Sequence, residues 1–135
     1  MSEGDLARVM AQHGQDPVVW LCTVTAHGRP TVRPVWFVVD GGAFVVFSAP
    51  GTAKVAHVRG NPQVTLTFHT DSAARSVRVV DGLAAIDSHG PAASETPGFL
   101  DKYEHLYAGL GYDRAGFDVA LSMRLTVVPT STWGW

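Results

Sequence analysis

The sequence has 135 residues, 46% hydrophobic and 16% charged, which makes one globular domain and excludes a disordered chain. Twelve acidic against ten basic residues leave a net charge of −2, the wrong balance for general phosphate-driven binding of nucleic acid. A single cysteine, Cys22, excludes an internal disulfide framework and any multi-cysteine metal cage, and no apolar run approaches the roughly 18 residues of a membrane span.

The opening MSEGDLARVMAQHG carries early acids and no apolar stretch of the kind that directs secretion, so the chain is expected to be cytoplasmic. Within it, residues 5–13 place Leu6, Val9, Met10 and His13 at helical spacing, with Gly14 as the stop. Asp16-Pro17 imposes an extended start on VVWLCTVT (18–25), a β-branched run that reads as a buried strand. Ala26-His27-Gly28-Arg29 turns into a second strand over 30–39, and Asp40-Gly41-Gly42 is a strong hairpin signal before a third over 43–48. Ala49-Pro50-Gly51 ends that strand. Thr52 to Arg59 forms a short helix with Val55 and Val58 on one face.

Pro62 introduces a fourth strand, QVTLTFHT. A fifth follows over 76–86, interrupted at Asp81-Gly82, where a glycine signals a bulge or barrel bend. After a loop to Pro97, residues 98–109 put Phe99, Tyr103, Leu106 and Leu110 on one helical stripe; Lys102 and Glu104 fall on its solvated side. Ala115 to Leu121 reads as a short helical turn, and MRLTVVP (123–129) as the last strand. Six short strands joined by hairpins call for an antiparallel sheet. Several are apolar on both faces, which few helices cannot cover. The expected fold is therefore mainly β: a small barrel with few helices, completed by a homodimer.

Ser48-Ala-Pro-Gly-Thr-Ala-Lys54 runs from a strand end into a helix start. Unpaired N–H groups and partial positive charge gather there, so an anion is favoured and a lysine is not. A bound phosphate would reverse that penalty, accepting from the amides, the Ser48 and Thr52 hydroxyls and Lys54. The alternative is a solvated lysine on an exposed helix; Arg59, five residues on, sits at the helix end. In Arg29-Pro-Thr-Val-Arg-Pro-Val-Trp-Phe37, Pro34 cannot donate to a ladder and marks an edge, bulge or gap. Such a gap beside Trp36 suits a flat heterocycle; the alternative is ordinary core, with Val35 and Phe37 inward and Trp36 at a subunit contact.

The six histidines lack metal-ligand spacing, no nucleophile motif occurs, and Gly109-Leu-Gly111 follows a helix rather than a strand. The Trp133-Gly134-Trp135 tail either caps the core or covers a ligand across a dimer.

The run TVRPVWFVVDGGAFVVFSAPGTAKVAHVRGNPQVTLTF, followed by RSVRVVDG, resembles the pyridoxamine-phosphate-oxidase-like split-barrel superfamily. The pattern is a P-V-W-F strand, a D-G hairpin, a strand ending in Ser, a helix opening with Lys and then R-x-N-P-x-V. It is most similar to the deazaflavin (coenzyme F420)-dependent subgroup. The resemblance implies a split-barrel homodimer with two cofactor sites between subunits. Lys54, Ser48, Thr52 and the Ala53 amide would hold the cofactor phosphate, and Val35 and Trp36 would line its tricyclic ring. Arg59 or Arg75 would meet its acidic tail. Ser76 stands where oxidases of the superfamily carry Gln, and Ser131-Thr132 where the subgroup carries a basic residue. Hydride transfer to a conjugated small-molecule acceptor is the implied reaction, with a proton from water or from Tyr103 or Tyr107. FMN in the same fold, or storage of a flavin, deazaflavin or haem without turnover, are the alternatives.

Overall fold

The computed structural model describes residues 1–135. Helix α1 (Glu3–His13) is followed by strands β1 (Val19–Val24), β2 (Pro30–Val35), β3 (Val38–Asp40) and β4 (Ala43–Ser48), then by α2 (Ala53–Gly60). Strands β5 (Gln63–Thr67) and β6 (Arg78–Asp87) precede α3 (Phe99–Tyr107), α4 (Arg114–Ala120) and β7 (Met123–Gly134). All pairings are antiparallel, in the order β2-β1-β5-β6-β7-β4-β3.

That order forces curvature. β2 and β3 are the two edges of the sheet, yet only Trp36 and Phe37 separate them in sequence. Three residue steps reach at most about 11 Å. A flat seven-stranded sheet would hold its edges about 29 Å apart. The sheet therefore curls until its edges nearly meet, a barrel split at the Trp36–Phe37 seam. The single strand expected over 30–39 is corrected here to two, giving seven strands rather than six. β2 pairs with β1 and β3 pairs with β4, so the chain leaves one ladder and joins another at the seam. Pro34 is tolerated because β2 is an edge.

The barrel interior holds Val19, Leu21, Val35, Phe37, Phe44, Val46, Leu66, Phe68, Val80, Leu125 and Val127. Helix α1 docks on it through Val9 and His13, whose ring stacks on Phe68 at 4.9 Å. Ser2 and Asp5 close a capping box at its start. A second cluster lies on the opposite face of β4: Val45 and Phe47 meet Phe99, Tyr103 and Tyr107 of α3 and Phe117 of α4. Hence β4 is buried on both faces, one by the barrel and one by helices of the same chain. The helix over 98–109 turns a different stripe inward from the one expected: Phe99, Tyr103 and Tyr107 are buried, whereas Leu106 and Leu110 are exposed.

The bulge expected at Asp81-Gly82 is present in the β6–β7 ladder. A Cβ on Gly82 would stand 2.6 Å from the Val127 side chain and 2.8 Å from the Val128 carbonyl, which only glycine avoids. The last strand runs five residues beyond the expected 129, so the aromatic tail is not a separate segment. Trp133 pairs with Val79, and Val77 and Trp135 exchange backbone hydrogen bonds. At 51% and 68% exposure, Trp133 and Trp135 do not cap this chain's core.

Candidate functional site

Helix α2 packs against β1 and β6. On β1 and β2 the cross-strand pair Thr23–Thr31 faces it, and both hydroxyls reach the His57 Nδ1, at 2.9 and 3.4 Å. One turn towards the helix start lies Lys54; two residues along β2 from Thr31, on the same strand face, lies Arg33. The two cations are therefore neighbours. Burial first, and the Arg33 guanidinium second, push the Lys54 ammonium below the usual lysine range. Neither cation forms a salt bridge.

The start of α2 adds to that field. Thr52 is its N-cap, but no side chain caps the helix and no acid lies in the first turn. The Thr52 hydroxyl instead bonds Ser48 Oγ at 2.8 Å, and Ser48 donates to the Ala49 carbonyl at 3.0 Å. Two hydroxyls, the first-turn amides and a half-buried ammonium thus stand together with no anion among them.

A cleft of about 260 Å³ opens from Lys54 along the seam. Its walls are Pro34, Val35 and Trp36 from the β2 end, Phe47 from β4, and Phe99, Leu110, Tyr112, Phe117 and Leu121 from the helical side. Lys54 is the one charged residue lining it. Trp36 is stacked on Tyr103 at 4.5 Å and lies nearly parallel to Phe117 at 6.0 Å, so its ring is fixed by aromatic packing.

Of the residues the sequence marks, the structure gathers Val35, Trp36 and Lys54 around this cleft, with Ser48, Thr52 and Ala53 at the adjoining helix start. Arg59 and Arg75 do not line it. Arg59 is exposed in the last turn of α2, and Arg75 lies in the β5–β6 loop, 3.6 Å from Asp71. Arg33 was not among the expected residues, although period-two alternation from buried Val35 puts it on the same strand face. Phe47, Phe99, Tyr112 and Phe117 reach the cleft only through tertiary packing.

Neither Tyr103 nor Tyr107 lines the cleft; the Tyr107 hydroxyl is buried without a hydrogen-bond partner, whereas that of Tyr103 is engaged. The Tyr103 hydroxyl accepts from the Phe37 N–H at 2.9 Å and faces the Pro17 and Phe37 carbonyls at 2.8 and 3.1 Å. Burial pushes both phenols up to about 12, helped at Tyr107 by Asp118 and Glu104. Tyr112 is the tyrosine that lines the cleft. Lys102 is not on a solvated face as expected: its Nζ donates to the Phe37 carbonyl at 2.9 Å and sits 3.7 Å over the Phe37 ring. Ser76 accepts from Gln12 and lies away from the cleft lining.

No helix is long and apolar enough to cross a membrane. The family model for pyridoxamine 5'-phosphate oxidase matches residues 7–112. A pyridoxine/pyridoxamine 5'-phosphate oxidase from Hyphomonas neptunium is 39% identical over 69 residues, 50% of this chain. The matched segment spans about a third (32%) of that relative's length. Among solved structures, one described as an F420 reductase superposes with a TM-score of 0.71 at 20% identity, covering 92% of this chain and 94% of its own. HutZ, the haem storage protein from Vibrio cholerae, superposes at 0.64 with 18% identity, covering 97% of this chain and 92% of its own. At these identities the two likenesses speak to fold.

Proposed function

Because this chain belongs to the pyridoxamine 5'-phosphate oxidase family, we propose that it is an oxidoreductase dependent on reduced deazaflavin, coenzyme F420, delivering a hydride to a conjugated small-molecule acceptor. The observation that carries this reading is Lys54: a half-buried ammonium beside Arg33, without a carboxylate, at an uncapped helix start that opens into an aromatic cleft. A half-buried ammonium of that kind is costly until an anion meets it, and Arg33, exposed beside it, adds to the positive field.

The residues present suit a planar cofactor bearing a phosphate. Lys54 and Arg33 would neutralise the anion, aided by the Ala53 and Lys54 amides and the hydroxyls of Ser48 and Thr52. The free edge of β2 at Pro34 and Val35 would meet the ring's polar edge, and Trp36 and Phe47 would bound its faces. When bound, such a cofactor supplies the hydride, and the protein's share is position, exclusion of water and charge. Tyr112, the tyrosine lining the cleft, would donate a hydrogen bond to an acceptor oxygen.

A second copy of the chain would complete the site. The cleft falls below the roughly 300–1,000 Å³ of a pocket that encloses a whole small ligand. The outer face of β2-β1-β5-β6-β7, bearing Val32, Trp20, Leu83, Val128 and Trp133, is exposed in the single chain. A homodimer built on that face would bury it and add a wall to the cleft.

Fluorescence-monitored titration of the purified protein with F420 and with FMN tests the reading. Saturable binding of F420, and oxidation of the reduced form by a conjugated ketone or quinone, supports it. Tight binding of FMN alone transfers the site to the flavin. Saturable F420 binding with no turnover across a panel of acceptors leaves a storage protein.

A further inference from the structure

The seam of the barrel has no strand to satisfy it. Phe37 lies between the end of β2 and the start of β3, wholly buried, and its backbone groups pair with no ladder. Buried peptide groups left unpaired are expensive. Both groups of Phe37 are instead held by consecutive residues of α3. Its N–H donates to the Tyr103 hydroxyl at 2.9 Å, and its carbonyl accepts from Lys102 Nζ at 2.9 Å. Tyr103 also accounts for the preceding residue, since its ring is the surface on which Trp36 stacks, 4.5 Å away and within 4° of parallel. Lys102 adds its charge above the Phe37 ring.

We infer that Lys102 and Tyr103 are positioning residues for the cleft: they clamp the Phe37 peptide and thereby set the orientation of the Trp36 wall. The inference rests on the cofactor reading only in calling Trp36 a cofactor wall; the clamp itself needs no ligand. Neither residue is part of the cleft lining.

The Lys102 ammonium provides a handle on this coupling. Burial lowers its pKa to about 8, with the Asp16 carboxylate opposing. Asp16, hydrogen-bonded to His13 Nδ1 at 2.8 Å, faces it from the α1–β1 turn. Asp101 and Tyr103 flank it on α3; from β3, Val38 and Val39 line the same hollow, and Asp40, the strand's one charged residue, is paired with Arg124 at 3.4 Å. Loss of the charge weakens the bond to the Phe37 carbonyl and removes the cation from the ring, and the change passes to Trp36 one peptide away.

The test is the emission of Trp36, isolated by replacing exposed Trp20, Trp133 and Trp135 with Phe. Without any cofactor, Trp36 emission should titrate with a midpoint near pH 8 in the otherwise native protein. Lys102→Arg, which keeps donor and charge, should preserve the neutral-pH spectrum and abolish the titration. Lys102→Met should give the high-pH spectrum at every pH, and both Lys102→Met and Tyr103→Phe should weaken binding of added F420 several-fold. A Trp36 spectrum that is flat across pH 7–9 in the parent, or a titration that persists in Lys102→Arg, overturns the inference. Both of these readings survive a Lys102→Met protein that fails to fold. Absence of F420 binding alongside the expected Trp36 titration would strike the cofactor reading and leave the clamp standing.

Discussion

Lys54 concentrates the balance between stability and function. Its ammonium is disfavoured by burial and by Arg33, and no carboxylate repays the cost. Lys54→Met should therefore raise the melting temperature of the cofactor-free protein, as seen by thermal denaturation, even as it removes the anion's principal partner. A drop in melting temperature would mean that the lysine stabilises the empty fold. Lys102 makes a separate, pH-resolved contribution. Its folded pKa of about 8 lies below the unfolded 10.5, so the unfolded chain holds more protons between those values. Stability from this group accordingly rises with pH across that window. Tyr103 and Tyr107 act oppositely: pushed from 10 to about 12, they hold protons longer in the folded state, and stability falls between those values. Urea midpoints measured from pH 7 to 10 in the native protein and in Lys102→Met should differ in slope, with the steeper rise in the native one. At this scale the sequence was informative for Lys54, because a lysine at a helix start breaks a local electrostatic rule. It misplaced Lys102 on a solvated side, because its partner Phe37 is 65 residues away and its burial follows from how α3 docks.

Among the elements, α2 and the β2–β3 junction govern the site. Helix α2 begins without a side-chain cap, its N-cap hydroxyl being spent on Ser48. Thr52→Asp should supply both a cap and a favourable charge, adding a few tenths to about 1 kcal/mol of stability while excluding a phosphate from the same amides. Higher thermal stability with loss of cofactor binding is the expected pair of outcomes. Unchanged binding would place the anion elsewhere. The β6 bulge offers a packing test: Gly82→Ala forces a methyl group onto Val127 and the Val128 carbonyl and should cost about 1–3 kcal/mol in chemical denaturation. Hairpin signals at Asp40-Gly41-Gly42 and the glycine at 82 were legible because turn and bulge chemistry is local. The break at Trp36–Phe37 was not, since an unbroken β-branched and aromatic run carries no mark of a seam closed by a helix sixty-odd residues on. Helix α3 shows the same limit: Tyr107 and the Leu106–Leu110 pair compete for one stripe, and α4 packing on Tyr107 decides it, with Phe117 stacked on it at 4.3 Å.

For the whole molecule, helices of the same chain cover one of the two outer faces of the sheet. α3 and α4 cover the outer face of β4, whereas the sequence reading looked to barrel closure and a partner subunit, without naming a strand, for such coverage. The outer face of the opposite strands stays bare, with Trp20 and Trp133 about half exposed. A second copy seated there would make the protein sediment as a dimer, and Trp133→Glu with Leu83→Glu should shift it to monomer and weaken cofactor binding together. The Trp133-Gly134-Trp135 segment belongs to the β6–β7 ladder, and its bare indoles fit a contact with another chain better than the core cap.

Docking of an anion at Lys54 is tested most directly by paired binding isotherms for F420 with native protein and with Lys54→Ala. The expected result is saturable binding by the native protein and a loss of about 1.5–3 kcal/mol in the variant, the worth of a charged hydrogen bond. Superimposable isotherms from two well-folded proteins would contradict it.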